Sequence, residues 1–214
     1  MDEDISIINT QTRNEKIKNF FIQNKKRLIL SFSVFLLILL SFYSFKIYKD
    51  YKREIISNKY NSATINFKNG DKAKVIVDMT EIINQNDSAY SPLALYFLID
   101  NDLVKNKDKI NTLFDLLIKD TDLEKEIKNL IIYKKALYNA DSSTENEILD
   151  ILQPILNSQS VWESHSLYLL AEFFYSKNEK QKAKEFFNKI LTLENSNQDL
   201  IKEAKKRLNR DLSD

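Results

Sequence analysis

The amino-acid sequence predicts an all-α protein in which one transmembrane helix near the N-terminus precedes a solenoid of helical hairpins. Three observations lead to this prediction. The chain has 214 residues but one glycine and two prolines, and sheet proteins need glycine-rich turns. A charge-free stretch near the N-terminus has the length of a membrane span. Beyond that stretch, apolar residues recur with the spacing of paired helices.

The predicted membrane span runs from Leu28 to Phe45, about eighteen residues without a charge. As a helix it covers roughly 27 Å, close to the thickness of the hydrocarbon core of a bilayer. Lys25, Lys26 and Arg27 precede it, and aromatic residues follow it, as at a membrane–water boundary. A secretory signal peptide has a similar apolar region, but bulky residues stand where its cleavage site would be. We therefore expect residues 25–48 to form a retained transmembrane helix with its flanks.

The segments on either side of this span carry further predictions. Residues 1–24 are polar and are expected to form a partly disordered tail. Within the tail, Ile17, Phe20 and Phe21 share one helical face, which is typical of a short interfacial helix or of a solvated approach to the span. Lys and Arg are slightly more numerous on the tail side, which predicts a cytoplasmic N-terminus and a domain outside the inner membrane. Because Gly and Pro are absent between the span and Gly70, the helix is expected to continue unbroken into that domain.

A quartet of residues recurs with identical internal spacing within residues 49–195. Each quartet has one residue where two helices cross and three apolar residues at i, i+4 and i+7 on the second helix. The quartets are Ala63, Val75, Met79 and Ile82; Leu98, Ile110, Phe114 and Leu117; Ala136, Ile148, Leu152 and Ile155; and Ala171, Ala183, Phe187 and Ile190. They begin 35, 38 and 35 residues apart, which is the period of a helical-hairpin solenoid.

Local signals mark the ends of these predicted helices. Ser91-Pro92 is typical of an N-cap followed by proline at the first helical position. Three pairs have the spacing of a capping box: Thr121 and Glu124, Thr144 and Glu147, and Ser160 and Glu163. Asn178 stands where a turn needs a left-handed residue, a conformation that asparagine tolerates.

Residues 196–214 are predicted to form a polar helix that caps the array. Its buried side is expected to hold Leu200, Ile201, Ala204 and Leu208. Its solvent side is expected to hold Lys202, Lys205, Lys206 and Arg207.

The segment from Leu170 to Leu191, LAEFFYSKNEKQKAKEFFNKIL, resembles a tetratricopeptide repeat. A basic flank, one span and about four degenerate repeats together resemble the YfgM-type ancillary subunit of the bacterial Sec translocon. This resemblance implies a tetratricopeptide-like solenoid held in the periplasm by a single inner-membrane span. It also implies a scaffold role, with translocon subunits, translocating or periplasmic client proteins, and chaperones as partners.

The concave face of such a solenoid predicts a groove for peptides or partner proteins. Six side chains are expected to line it: Tyr60, Phe67, Leu95, Tyr133, Tyr168 and Tyr175. A row of tyrosines suits an extended or helical peptide, because each ring combines apolar contact with a hydroxyl group. The alternative is that a short array buries these rings as core, and the sequence does not decide between the two.

The composition supports neither catalysis nor nucleic-acid binding. The formal net charge is +1, and the chain has no cysteine. His165 is the single histidine, and no strained nucleophile turn accompanies it. We expect a protein that is not an enzyme and has no cofactor, metal, nucleic acid or small-molecule substrate. Two other functions stay open: an assembly factor for an envelope or cell-division complex, and an adaptor facing the cytoplasm if the orientation is reversed.

Overall fold

The structure, a computed structural model, describes the backbone of residues 2–156 and 158–212 and the side chains of residues 15, 16, 18–156 and 158–212. Met1 and the Ile17 side chain lie outside this part. The described backbone is all-α, with no strand. Its helices are α1 (Asp2–Lys68), α2 (Lys72–Asn84), α3 (Tyr90–Asp100), α4 (Lys107–Asp120), α5 (Lys125–Asn139), α6 (Glu145–Leu156), α7 (Glu163–Ser176), α8 (Lys180–Thr192) and α9 (Gln198–Asp211). The chain divides into two compact units, the first ending at Ile55 and the second beginning at Ile56.

The first unit consists of the greater part of α1, which contains the stretch predicted to cross a membrane. Within the described residues, α1 is the one helix long and apolar enough to span a bilayer, judged by length and composition. Its large apolar side chains, such as Leu37 and Phe42, are exposed. Leaving apolar surface in water costs about 25 cal/mol per Å². The helix is therefore compatible with single-pass anchoring, and the exposed Lys25, Lys26 and Arg27 directly precede its apolar stretch.

Residues 2–24 belong to α1, which begins at Asp2. The partial disorder expected for residues 1–24 stays a prediction. No glycine or proline occurs before Gly70, so neither of the two residue types with the poorest helix propensity interrupts the helix. The prediction that the helix continues unbroken past the apolar stretch is confirmed, since α1 ends at Lys68. Gly70 then adopts a φ of 90°, a conformation that costs glycine little.

The second unit is built from helices that pack on their neighbours in the chain. Every consecutive pair from α2 to α9 is in contact, and α2 with α4, α5 with α7, and α7 with α9 touch as well. Residues with positive φ occur in several of the turns: Gly70, Asn86, Asp102, Gln159 and Asn178. Asn178 has a φ of 63°, as predicted for its turn.

The core of the second unit contains all four predicted quartets. Every member of the quartets has an exposed fraction of 1% or less. Ala63, Ala136 and Ala171 have side chains small enough for two helices to approach closely. Leu98 takes the same position in the second quartet and is equally buried. The burial of one apolar stripe per helix is therefore as the sequence period predicts.

Several polar contacts in the second unit join residues that lie 33–37 positions apart, whereas others join residues 20–29 positions apart. The Tyr90 hydroxyl donates to Ser57 at 2.7 Å, the Ser160 hydroxyl to Glu126 at 2.6 Å, the Lys182 ammonium to Glu145 at 2.6 Å and the Arg207 guanidinium to Glu172 at 2.7 Å. Each of these long-range contacts thus connects roughly equivalent points of successive helix pairs.

The helix-start signals succeed at one position and fail at three. The capping boxes predicted at Thr121 and Ser160 are not formed, because the N-cap residues of α5 and α7 are Glu124 and Trp162 and neither caps through its side chain. The Thr144 N–H donates to the Glu147 carboxylate at 2.7 Å, and the Glu147 N–H donates to the Thr144 hydroxyl at 3.4 Å, which confirms the capping box. The prediction for Ser91 is wrong, since α3 already begins at Tyr90. The Tyr90 N–H donates to the Asp87 carboxylate at 2.8 Å. Asp87 therefore performs the capping role, and a carboxylate is the stronger acceptor at a helix N-terminus.

Replacing Phe187 by alanine tests the core of the second unit. Phe187 is fully buried, and its ring meets that of Tyr168 edge-on at a centroid distance of 5.6 Å. Phe187→Ala is expected to lower the free energy of unfolding by about 3–5 kcal/mol, because it removes buried contacts and leaves a cavity. Urea unfolding followed by far-ultraviolet circular dichroism measures this change. The control is Glu185→Ala at an exposed position of the same helix, and equal losses for both variants would contradict the packing described.

Candidate protein-binding surface

The residues predicted to line a groove are divided among separate places in the second unit. Tyr60 and Phe67 form an aromatic group with α3. The Tyr60 ring lies 5.8 Å from that of Tyr90 and 6.3 Å from that of Phe97, and the Phe67 ring lies 5.2 Å from that of Phe97. Tyr60 and Phe67 are half-buried against the core. These two side chains therefore contribute to packing between α1 and α3.

Leu95 is not a groove residue, which corrects the sequence prediction. Its side chain is fully buried. The α3 sequence YSPLALYFLID is apolar on nearly every side, and the helix packs against both α2 and α4. Leu93, two residues earlier and so on the other side of the helix, is 46% exposed. Leu95 therefore lies on the side of α3 that faces the core.

The C-terminal helix α9 makes contact with the part of α7 that carries Tyr168 and Tyr175. Burial, and after it the nearby Glu172 carboxylate, raises the pKa of Tyr168 to about 12. The Arg207 guanidinium lies 4.5 Å from the ring centroid of Tyr175, within range of a cation–π interaction. Both tyrosines thus make contacts within the chain where the sequence predicted a groove.

Arg207 differs from the prediction that it faces solvent. Its side chain is only 13% exposed, and its Nε and Nη2 atoms each donate to Glu172 at 2.7 Å. This bidentate arrangement matches the planar guanidinium to the carboxylate. Arg207 also donates to Asp211, which accepts two further bonds from Arg210 at 2.7 and 2.8 Å. The bonds from Arg210, followed by the positive charges of both arginines, lower the pKa of Asp211 to about 2.

Tyr133 belongs to a second aromatic group, together with Trp162 and His165. The Tyr133 and Trp162 rings stack at a centroid distance of 5.7 Å and an angle of 25°. The His165 ring lies 5.2 Å from that of Trp162 and 6.1 Å from that of Tyr133. All three side chains are half-buried, and burial raises the pKa of Tyr133. The group connects α5 to the start of α7 while part of its surface stays exposed.

A cleft of about 440 Å³ lies along the same two helices. Its apolar lining consists of Leu137 and Ala140 from α5 and Leu169 and Phe173 from α7. Leu137 is half exposed, whereas Leu169 and Phe173 are buried. Leu137 lies one turn after Tyr133, and Leu169 lies one turn after His165. Tyr133 lies beside His165 in the aromatic group, and one turn later on each helix Leu137 and Leu169 line the same cleft. The helices α5 and α7 therefore run in the same direction, and these residues lie on one shared surface.

We call this surface the α5–α7 face and define it by Tyr133, Leu137, Ala140, Trp162, Leu169 and Phe173. Its rim is polar and consists of the exposed Asp141 together with Glu172, Ser176 and Lys177. Glu172 is already paired with Arg207, and the Lys177 ammonium lies 5.4 Å from the ring centroid of Phe173. A ligand that covers the apolar side chains of this face would therefore bury a Glu172 carboxylate whose charge is already paired. No cluster of three or more metal-ligating side chains occurs among the residues that the structure describes.

Sequence reasoning missed Leu137, Leu169, Phe173 and Trp162. A signal existed for Leu137, because it follows Tyr133 by four residues and so lies on the same helical face. No such signal existed for Trp162, which is the N-cap residue of α7 and lies outside its periodic pattern.

Comparison with models of known protein families, with characterised proteins and with solved structures finds no match to this chain. The functional interpretation therefore depends on the geometry of the two units and on the layout of the sequence.

Acid titration tests the contacts that hold α9. The pKa of Asp211 is near 3.8 without these contacts and about 2 in the folded protein. Because the folded value is the lower one, the stabilisation is complete above about pH 4 and is lost as the pH falls through about 2. Asp211→Asn is expected to lower the melting temperature at neutral pH and to have little effect near pH 2. Melting curves between these limits, with the exposed Glu194→Gln as control, measure the difference; a constant effect across the range would contradict it.

Proposed function

We propose that this protein is a membrane-anchored, non-enzymatic scaffold that binds other proteins through the α5–α7 face. The observation that carries this proposal is Leu137, which is half exposed beside a cleft with apolar and polar lining and lies one turn from a stacked Tyr–Trp pair. Most large apolar side chains of the second unit are buried in its core. Aromatic and apolar side chains within a polar rim are typical of the centre of a protein–protein interface.

In this proposal the second unit is a tetratricopeptide-like solenoid. The buried quartets, the polar contacts 33–37 residues apart and the contacts between alternate helices support it. Further support comes from α9, where Ala204 lies 33 residues after Ala171 and is fully buried. By this alignment α9 repeats the first helix of a unit, so it covers the end of the array as a capping element.

The ligand that suits the α5–α7 face is a peptide segment with apolar side chains, extended or helical. The cleft offers four apolar side chains beside a polar rim, and the rings of Tyr133 and Trp162 offer rigid surfaces with little entropy to lose. Lys177 and Ser176 at the rim supply polar contacts for the peptide backbone. Such a surface is better suited to apolar segments of incompletely folded proteins than to a small-molecule ligand.

The proposed location is the inner membrane, with a cytoplasmic N-terminus and the second unit in the periplasm. The basic triplet Lys25–Arg27 directly before the apolar stretch supports this orientation. The resemblance in layout to the YfgM-type subunit extends the proposal to a role beside the Sec translocon. The partners would then be translocon subunits, emerging proteins or periplasmic chaperones.

A photo-crosslinking amino acid placed at Leu137 tests the binding face in living cells. Because this position is 52% exposed and borders the cleft, we expect it to capture a partner protein without disturbing the fold. Val77 of α2 is the matched control, since it is apolar and 64% exposed but lies on another helix. Leu137→Asp is expected to reduce partner recovery several-fold with unchanged helicity. Equal capture at both positions would exclude the α5–α7 face as the binding site.

Protease accessibility of a C-terminal tag tests the orientation. We expect digestion in spheroplasts but protection in intact cells, because the outer membrane excludes the protease from the periplasm. Protection until the cells are lysed would place the second unit in the cytoplasm. The translocon-linked proposal would then be wrong, and the adaptor function would take its place.

A further inference from the structure

A stripe of apolar side chains continues along α1 after its hydrocarbon-length stretch has ended. Tyr48, Tyr51 and Ile55 expose 57%, 62% and 51% of their surface. Their spacing of three and four residues places them on one face of the helix. Ile55 lies about 15 Å beyond the end of the apolar stretch, whereas a headgroup layer is about 5–8 Å deep. Lipid therefore does not cover the whole stripe.

The same helical face extends backwards into the hydrocarbon-length stretch without changing its period, through the small polar residues Ser41 and Ser44 to the apolar Leu37. Alternating steps of four and three residues connect Leu37, Ser41, Ser44, Tyr48, Tyr51 and Ile55. This is the a/d pattern of a heptad repeat, the seam along which parallel helices pair. Small serine side chains permit close helix approach in lipid, and larger rings form the seam where water begins.

The positions of the charged residues on α1 indicate the same seam. With Tyr48 at position a and Tyr51 at position d, the charged residues from Lys46 to Glu54 occupy all five other heptad positions. They are Lys49 at b, Asp50 at c, Lys52 at e, Lys46 and Arg53 at f, and Glu54 at g. The a and d positions alone are free of charge in this segment. The Lys52 ammonium lies 5.4 Å from the Tyr48 ring centroid, so its stem flanks the seam as an e residue does.

We propose that a second copy of this chain covers the stripe, and that the two α1 helices pair in parallel from Leu37 to Ile55. Two copies inserted in one bilayer have the same orientation, so their α1 helices are parallel and equivalent residues lie at the same height. A heptad seam is then self-complementary, because each a or d residue meets its own counterpart. This inference goes beyond the proposed function, since it uses only residues of the first unit.

Disulfide crosslinking of single-cysteine variants tests the pairing, because the natural chain has no cysteine. The full-length protein in membranes receives one cysteine at each position from 46 to 55, followed by mild oxidation. We expect the dimer band to peak at Tyr48→Cys, Tyr51→Cys and Ile55→Cys, where Cα atoms approach within disulfide reach. Lys46→Cys and Lys49→Cys point away from the seam and are expected to give several-fold less dimer.

A charge placed in the seam provides the second measurement. In the Tyr48→Cys background, Tyr51→Glu is expected to abolish the dimer band, whereas Lys49→Glu is expected to leave it. Uniform crosslinking along 46–55 would indicate random collision and overturn the proposal. Reactive thiols without a dimer, or a crosslink to a different protein, would overturn it as well. Failure of partner capture at Leu137 would leave the pairing of α1 unaffected, so the two proposals fail separately.

Discussion

Burial of one apolar stripe per helix is the constraint on which the second unit depends. A single helical hairpin cannot enclose its own stripe, so each pair of helices needs the next pair to cover it. Ala63, Ala136 and Ala171 allow the close helix approach that this arrangement requires, and all are fully buried. The period of the sequence and the burial of its quartets therefore have one cause. The polar contacts some 33–37 residues apart follow from the same stacking.

The same constraint decides which surface stays available for binding. The helix α3 packs against both α2 and α4, and Leu95 is buried on the side that faces the core. At the other end, α9 packs on α7 and α8 and engages Tyr175 through Arg207. Between these ends, the α5–α7 face combines a cleft, an exposed Leu137 and a stacked aromatic pair. The proposed binding surface thus lies where no further element of the second unit covers it.

The long helix α1 changes in composition along its length. Aliphatic, aromatic and serine side chains make up the charge-free stretch of hydrocarbon length, and tyrosines with lysines follow it. A heptad stripe passes through both regions without interruption, which indicates one pairing surface in lipid and water. Anchoring and self-association would then be properties of one helix, while binding of other proteins would be a property of the second unit.

The sequence by itself determined the all-α class, the apolar stretch of α1 and the buried quartets. These features depend on local periodicity and on the scarcity of glycine and proline, which the chain displays directly. Tertiary structure alone decided that Leu95 is core, that Arg207 binds Glu172, and that Leu137 borders a cleft. The physical reason is that exposure depends on which distant element covers a face. Helical periodicity identifies the side of a helix on which a residue lies, but not the neighbour that packs against that side.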